Sequence, residues 1–129
     1  MAIPPTHAPR STGLVIAWEE LRNRLKEDFG KKPDLQAVLF LIGVNVLGRS
    51  AASFTKEEKQ DLMHVAVCEV LSFLGYYEFT GRDSDGWPHY QLLKTLPAVN
   101  LPEQEELLKG ACLQYFEEID YFRVSEKTK

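Results

Sequence analysis

The longest apolar stretch of the chain covers residues 37–47 and contains a single polar residue, Asn45. A helix that is apolar on every side has no face for solvent, so other elements must cover it. With its flanks the segment is about 15 residues long, whereas a helix that crosses a bilayer needs roughly 20. It therefore predicts a buried central helix at about 33–48, with side chains such as Phe40 and Ile42 enclosed.

Two residues of this central helix bear on its packing. Gly43 costs about 1 kcal/mol against alanine in a helix interior, and close approach of a neighbouring helix would justify it. Asn45 would carry a buried amide, which must find a hydrogen-bond partner within the structure or line a pocket.

Three further segments, at residues 11–30, 55–75 and 100–122, repeat apolar residues at spacings of three and four. This spacing is typical of amphipathic helices, and Thr55 with Glu58 forms a capping box at the start of the second. The positions predicted to face the core are Leu14, Trp18, Leu21, Leu25 and Phe29 in the first segment, Leu62, Met63, Ala66, Val67, Val70, Phe73 and Leu74 in the second, and Leu107, Leu108, Ala111, Cys112, Tyr115, Ile119 and Phe122 in the third.

The pattern changes at residues 76–80 and 89–93, which are rich in aromatic and β-prone side chains. Between them lies Asp83-Ser84-Asp85-Gly86, whose Asp-Gly pair supplies positive φ at a turn. A calcium loop is excluded because the glycine comes too early and an acid is missing at the twelfth position. Pro88 restricts the second strand to an edge at its start.

These elements predict a mainly α fold, with a single-domain four-helix array around the buried central helix plus one β-hairpin at about 76–94. Residues 1–10, with three prolines, predict a disordered leader, residues 11–124 the globular domain, and residues 125–129 a frayed tail. A chain of 129 residues with 44% hydrophobic residues can bury a core of its own.

The formal net charge of −4 argues against a nucleic-acid partner, because such proteins neutralise phosphates with a basic face. No segment predicts a membrane span or a secretory signal, so we expect a cytoplasmic protein. Cys68 and Cys112 are too few for a disulfide scaffold and read as reduced, apolar-packed thiols. The sequence predicts no cofactor and leaves the oligomeric state open, including a homodimer.

One polar stripe on the predicted third helix resembles a metal site. Glu57, Asp61, His64 and Cys68 follow one another at spacings of four, three and four, which places them within a stripe roughly 60° wide. A carboxylate and a histidine three residues apart bind metals in helix bundles. The alternative is an ordinary solvated face, which is favoured because no second carboxylate–histidine pair exists on another helix.

A second candidate is the hairpin, where aromatic side chains with polar tips are crowded together. Such residues are enriched at binding surfaces, although they also clamp a hairpin onto helices. The binding-surface candidates are Tyr76, Tyr77, Phe79, Trp87, His89 and Tyr90.

No motif assigns a catalytic residue, and no glycine-rich phosphate loop is present. The sequence therefore predicts a non-enzymatic protein-binding or regulatory module, of which a small acidic inhibitor or immunity-type protein that masks a basic partner is one form. The alternatives are a metal-binding helical protein or metal-dependent enzyme using the third helix, and a small-molecule pocket between hairpin and helices.

Residues 54–64 (FTKEEKQDLMH), with 75–79 (GYYEF) and 85–89 (DGWPH), resemble an uncharacterised group of small bacterial proteins. The resemblance covers most of the chain after the leader. It implies a bacterial origin and no particular activity.

Overall fold

The computed structural model describes residues 7–48 and 54–121, with side-chain surroundings from residue 13 onward. Four helices and one antiparallel hairpin confirm the predicted mainly α class. The elements are α1 (His7–Phe29), α2 (Leu35–Leu47), α3 (Lys56–Ser72), β1 (Tyr77–Arg82), β2 (Pro88–Leu92) and α4 (Leu101–Glu118). Among the described residues, no helix is both long enough and apolar enough to pass through a membrane.

The fold contains two compact units. The first consists of residues 1–34 and 99–129 and contains α1 and α4, whereas the second consists of residues 35–98 and contains α2, α3 and the hairpin.

Helix α1 begins earlier than the sequence predicts. Residues 7–10, predicted as part of a disordered leader, are helical, while residues 1–6 and the predicted tail 125–129 lie outside the described residues. Pro9 falls in the first turn of α1, where backbone N–H groups have no acceptor within the helix. The N–H that proline lacks is therefore not needed there.

The first unit is held together by apolar residues of α1 and α4. Helix α4 begins at a capping box, in which Asn100 and Glu103 each bond the backbone of the other. The predicted positions that are buried are Trp18, Leu21 and Leu25 on α1 and Ala111, Cys112 and Tyr115 on α4.

Two predicted core positions of this unit are wrong. Phe29 is 60% exposed and Ile119 is 41% exposed. Both stand where their helix ends, and a helix end that extends past its packing partner leaves even an apolar side chain in water. Phe116, which the sequence stripe omits, is buried and contacts the ring of Tyr115 edge to face. Phe122 lies outside the described residues.

In the second unit, α2 packs closely against α3 at Gly43. A Cβ atom at position 43 would lie 3.0 Å from the carbonyl carbon of Leu62 and closer still to its oxygen. The backbones of α2 and α3 therefore lie too close together for a side chain at position 43. This confirms the prediction that a neighbouring helix approaches closely at this glycine.

One side of α2 is buried, and it includes Ile42. Phe40 is only half-buried and meets the ring of Phe54 edge to face. The side chain of Asn45 is exposed, so the predicted buried amide is wrong. An apolar sequence on all sides of a helix therefore does not ensure that every side is covered.

Helix α3 begins as predicted, with Thr55 accepting from the backbone N–H of Glu58 and Glu58 accepting from that of Thr55. Leu62, Ala66 and Val70 are buried. Met63 and Val67 are half-buried, whereas the residues Val65, Cys68 and Leu71, absent from the predicted core side, are buried. Phe73 and Leu74 were predicted as core, but they follow the helix end and are 37% and 39% exposed.

Candidate functional site

The hairpin presents one face to α3. Tyr77 pairs with Leu92 and Phe79 with Tyr90, so these four side chains share a face of the two-stranded sheet. A β-bulge follows Phe79 and shifts the register by one residue before Gly81 pairs with His89. The shared face is therefore set by the first half of β1 and the second half of β2.

Two tyrosines of this face lie on the side of α3, and one of them is hydrogen-bonded to it. The hydroxyl of Tyr90 donates to Glu69 Oε1 at 2.6 Å. Burial, and then the neighbouring Glu69 carboxylate, raise the pKa of Tyr90 far above its usual range. Tyr77 is half-buried beside Cys68, and burial followed by that thiol raises the pKa of Tyr77. Both hydroxyls thus stay protonated at neutral pH.

Other residues of the same face remain in water. Phe79 is 49% exposed and Leu92 is 53% exposed, although they lie beside the two tyrosines. Leu93, whose N–H donates to the carbonyl of Tyr76, is 52% exposed on the next position of the chain. Phe79 and Leu92, which share one face of the hairpin, form what we call the hairpin patch.

The hairpin is also tied to α2 through Arg82. Its guanidinium donates to the carbonyl of Val46 at 2.7 Å and to that of Gly86 at 2.9 Å. Val46 lies in the last turn of α2, where carbonyls lack an intrahelical donor. One arginine therefore caps a helix end and fixes the hairpin turn.

The turn itself is built around the Asp83 carboxylate. Asp83 Oδ1 accepts from the backbone N–H groups of Asp85 and Trp87, and Oδ2 lies 3.0 Å from His89 Nε2. Positive φ is confined to Gly86 in this turn, whereas the sequence predicts it for the Asp85-Gly86 pair. The carboxylate thus stabilises the turn that the sequence predicts at these residues.

These bonds give the turn a predicted pH dependence. The hydrogen bond from His89 and that from Trp87 lower the pKa of Asp83 from 3.8. Because the folded pKa is depressed, the stabilisation is fully present above pH 3.8 and is lost as pH falls through the folded value. In Asp83→Asn we expect lower stability than wild type at pH 7 and a difference that narrows as pH falls below 3.8, measured by urea unfolding. A constant difference across this range would contradict the assignment.

The remaining hairpin candidates differ in exposure. Tyr76 is half-buried under the ammonium of Lys94, whose Nζ lies 4.6 Å from the ring centroid. Trp87 is half-buried, and His89 is exposed and paired with Asp83. Of the six predicted surface residues, Phe79 and His89 are therefore the exposed ones, and the other four are half-buried.

The predicted metal stripe on α3 is only partly assembled. Glu57, Asp61 and His64 are exposed and Cys68 is buried. His64 Nε2 lies 3.5 Å from Cys68 Sγ. Within residues 7–48 and 54–121, no three His, Cys, Asp or Glu side chains are placed to hold one metal ion. The structure thus brings together His64 and Cys68 and does not bring Glu57 or Asp61 to them.

The two cysteines are buried, free thiols. Burial raises the pKa of Cys68 to about 11 and that of Cys112 to about 12. Both stay protonated at neutral pH, so neither is an activated nucleophile.

Neither Leu92 nor Leu93 is among the binding-surface residues that the sequence predicts. Leu92 is the last residue of β2 and Leu93 follows it, and adjacent side chains of extended backbone point to opposite faces. Two apolar residues in a row at the end of a strand cannot both face the same neighbouring element, so at least one of the two side chains is expected to be exposed. The exposure of Phe73 and Leu74 was also predictable, because Gly75 directly follows them and marks the end of the helix.

Comparison with models of protein families, with curated proteins and with solved structures found no match.

Proposed function

We propose that this chain is a non-enzymatic protein-binding module and that the hairpin patch is its binding surface. The observation that carries the proposal is the exposure of Phe79 and Leu92, each about half in water, on one face of a hairpin that the bond from Tyr90 to Glu69 fixes to α3. Apolar and aromatic residues held on a rigid support are typical of interface centres.

The charge of the whole chain favours a basic partner. The chain carries a formal net charge of −4. Glu78 lies on β1 between Tyr77 and Phe79, with its side chain on the other face of the sheet, where it is exposed and forms no ion pair with any described residue. A partner with an apolar centre and lysine or arginine at its rim would complement this surface, as expected for an acidic regulator or inhibitor.

The test compares two double variants as bait in lysate of the source organism. Phe79→Ser with Leu92→Ser removes apolar contact area from the patch. Val15→Ser with Ile16→Ser alters residues of α1 that are 60% and 55% exposed and serves as the matched control. The wild-type protein is used as a bait beside the two variants. Captured proteins are quantified by mass spectrometry, and each candidate is then purified and titrated against the wild-type protein and both variants.

We expect a basic protein whose affinity falls on the order of tenfold or more with the hairpin variant and is unchanged with the control. Its affinity should also fall as salt is raised, because rim charges are screened. The proposal is wrong if no purified candidate binds, or if every one binds the hairpin variant as tightly as wild type.

A further inference from the structure

We propose that the peptide bond between Asp85 and Gly86 is a site of spontaneous aspartate isomerisation and that the folded hairpin turn suppresses the reaction. Asp85 is the one aspartate or asparagine of the chain that a glycine follows, and it is exposed at the turn. Glycine favours the reaction because it has no Cβ to hinder ring closure on its nitrogen. The inference rests on neither the hairpin patch nor a protein partner.

The reaction needs water and no other reactant. The backbone nitrogen of Gly86 attacks Cγ of Asp85, a C–N bond forms, and the nitrogen's proton and a carboxyl oxygen leave as water, which yields a succinimide ring. Water then adds to one ring carbonyl and breaks its C–N bond. Opening at the side-chain carbonyl restores aspartate, whereas opening at the main-chain carbonyl leaves isoaspartate, whose backbone runs through Cβ and Cγ. The overall change is an isomerisation in which nothing is oxidised or reduced.

The folded turn keeps the attacking nitrogen occupied. The Gly86 N–H donates to the carbonyl of Asp83 at 3.0 Å, the bond that closes a β-turn. The Asp85 N–H donates to Asp83 Oδ1 at 2.9 Å, and the Gly86 carbonyl accepts from Arg82 at 2.9 Å. The nitrogen attacks after it loses its proton, so its bond to Asp83 must break first. The bonds on either side also restrict the backbone rotation that would bring the nitrogen to the carboxyl.

Isomerisation therefore proceeds from the opened turn, and its rate follows the fraction of molecules in which the turn is open. The product does not fit the closed turn, because isoaspartate adds one atom to the backbone. The bond from the Asp83 N–H to the carbonyl of Trp87, at 2.9 Å, joins the chain across the turn and fixes its length. We therefore expect the modified chain to lose the bonds that close the hairpin.

The experiment ages the full-length wild-type protein at neutral pH, once in buffer and once in guanidinium chloride that unfolds it. Trypsin then releases residues 83–94, because Arg82 and Lys94 mark the two cleavage points. Chromatography separates the isomeric peptides, and electron-transfer fragmentation locates the isoaspartate. We expect the unfolded chain to accumulate isoaspartate at position 85 on the order of tenfold faster or more than the folded protein.

Three variants test the role of each group in the turn. Asp83→Ala removes the carboxylate that accepts from Asp85 and Trp87, so the folded variant should isomerise at position 85 several-fold faster than wild type. Ser84→Ala is the matched control at an exposed position of the same turn and should age at the wild-type rate. Asp85→Glu should abolish the product, because glutamate would have to close a six-membered ring. Circular dichroism confirms that each variant is folded.

Equal rates in the folded and the unfolded wild-type protein would overturn suppression by the turn. A folded Asp83→Ala protein that ages as slowly as wild type would overturn it too. An unfolded chain that forms no isoaspartate at position 85, or forms it faster at another residue, would overturn the assignment of the site. The comparison of folded with unfolded wild type needs no variant, so it decides the question even where Asp83→Ala does not fold.

Discussion

Replacing Gly43 with alanine is expected to destabilise the α2, α3 and hairpin unit by about 2 kcal/mol or more. The added Cβ would stand within 3.0 Å of the carbonyl carbon of Leu62, and a backbone carbonyl in a helix cannot move aside as a flexible side chain can. Alanine gains about 1 kcal/mol in helix propensity, which reduces but does not cancel the cost of separating α2 from α3.

Gly110→Ala is the matched control for this substitution. Gly110 also lies inside a helix, but no atom stands within 4 Å of where its Cβ would be. We expect this variant to gain about 0.5–1 kcal/mol, so the two substitutions should have opposite signs. Urea unfolding followed by circular dichroism measures both. A neutral or stabilising Gly43→Ala would show that the helices do not meet at this residue.

Truncating Leu21 to alanine is expected to cost about 3 kcal/mol of the free energy of unfolding of the α1 and α4 unit. Its side chain is fully buried, and truncation removes apolar contact and leaves a cavity. Val15→Ala on the same helix is the control, because Val15 is 60% exposed and surface substitutions cost less than about 0.5 kcal/mol. Equal losses in the two variants would contradict the packing of α1.

The same variant tests the single domain that the sequence predicts. Trp18 belongs to the α1 and α4 unit and Trp87 to the other, so Trp87→Phe and Trp18→Phe backgrounds each leave one fluorescent reporter. If the chain unfolds as one domain, Leu21→Ala lowers the urea midpoint equally for both reporters. A shift seen by Trp18 alone would show two units that unfold separately.

Local signals in the sequence predicted much of the fold. The capping box of Thr55 and Glu58 involves residues three apart, so it needs no tertiary information and appears as expected. The role of Gly43 was also predictable, because an interior glycine is costly without a neighbour to justify it.

Burial at the ends and sides of helices was harder to predict. Asn45, Phe73 and Phe29 were all placed in the core, yet all are exposed. Periodicity tells which residues share a face, but it does not tell where the element that covers that face begins and ends. That limit depends on contacts between distant parts of the chain, which a local pattern does not contain.

In the candidate sites, too, contacts within one helix were predictable from the sequence and contacts between distant segments were not. The approach of His64 to Cys68 follows from their spacing of four on a helix and was visible in the sequence. The bond from Tyr90 to Glu69 joins the hairpin to α3, and only the folded chain reveals it.

The bulge after Phe79 and the proline at position 88 have a consequence for solubility at high concentration. A two-stranded sheet has two open edges, and regular open edges invite strands from other molecules to stack into amyloid-like fibrils. Here the bulge breaks the regular run of β1, and Pro88 offers no N–H at the start of β2. The hairpin can therefore expose large apolar side chains while its strand edges remain poor sites for the addition of strands from other molecules.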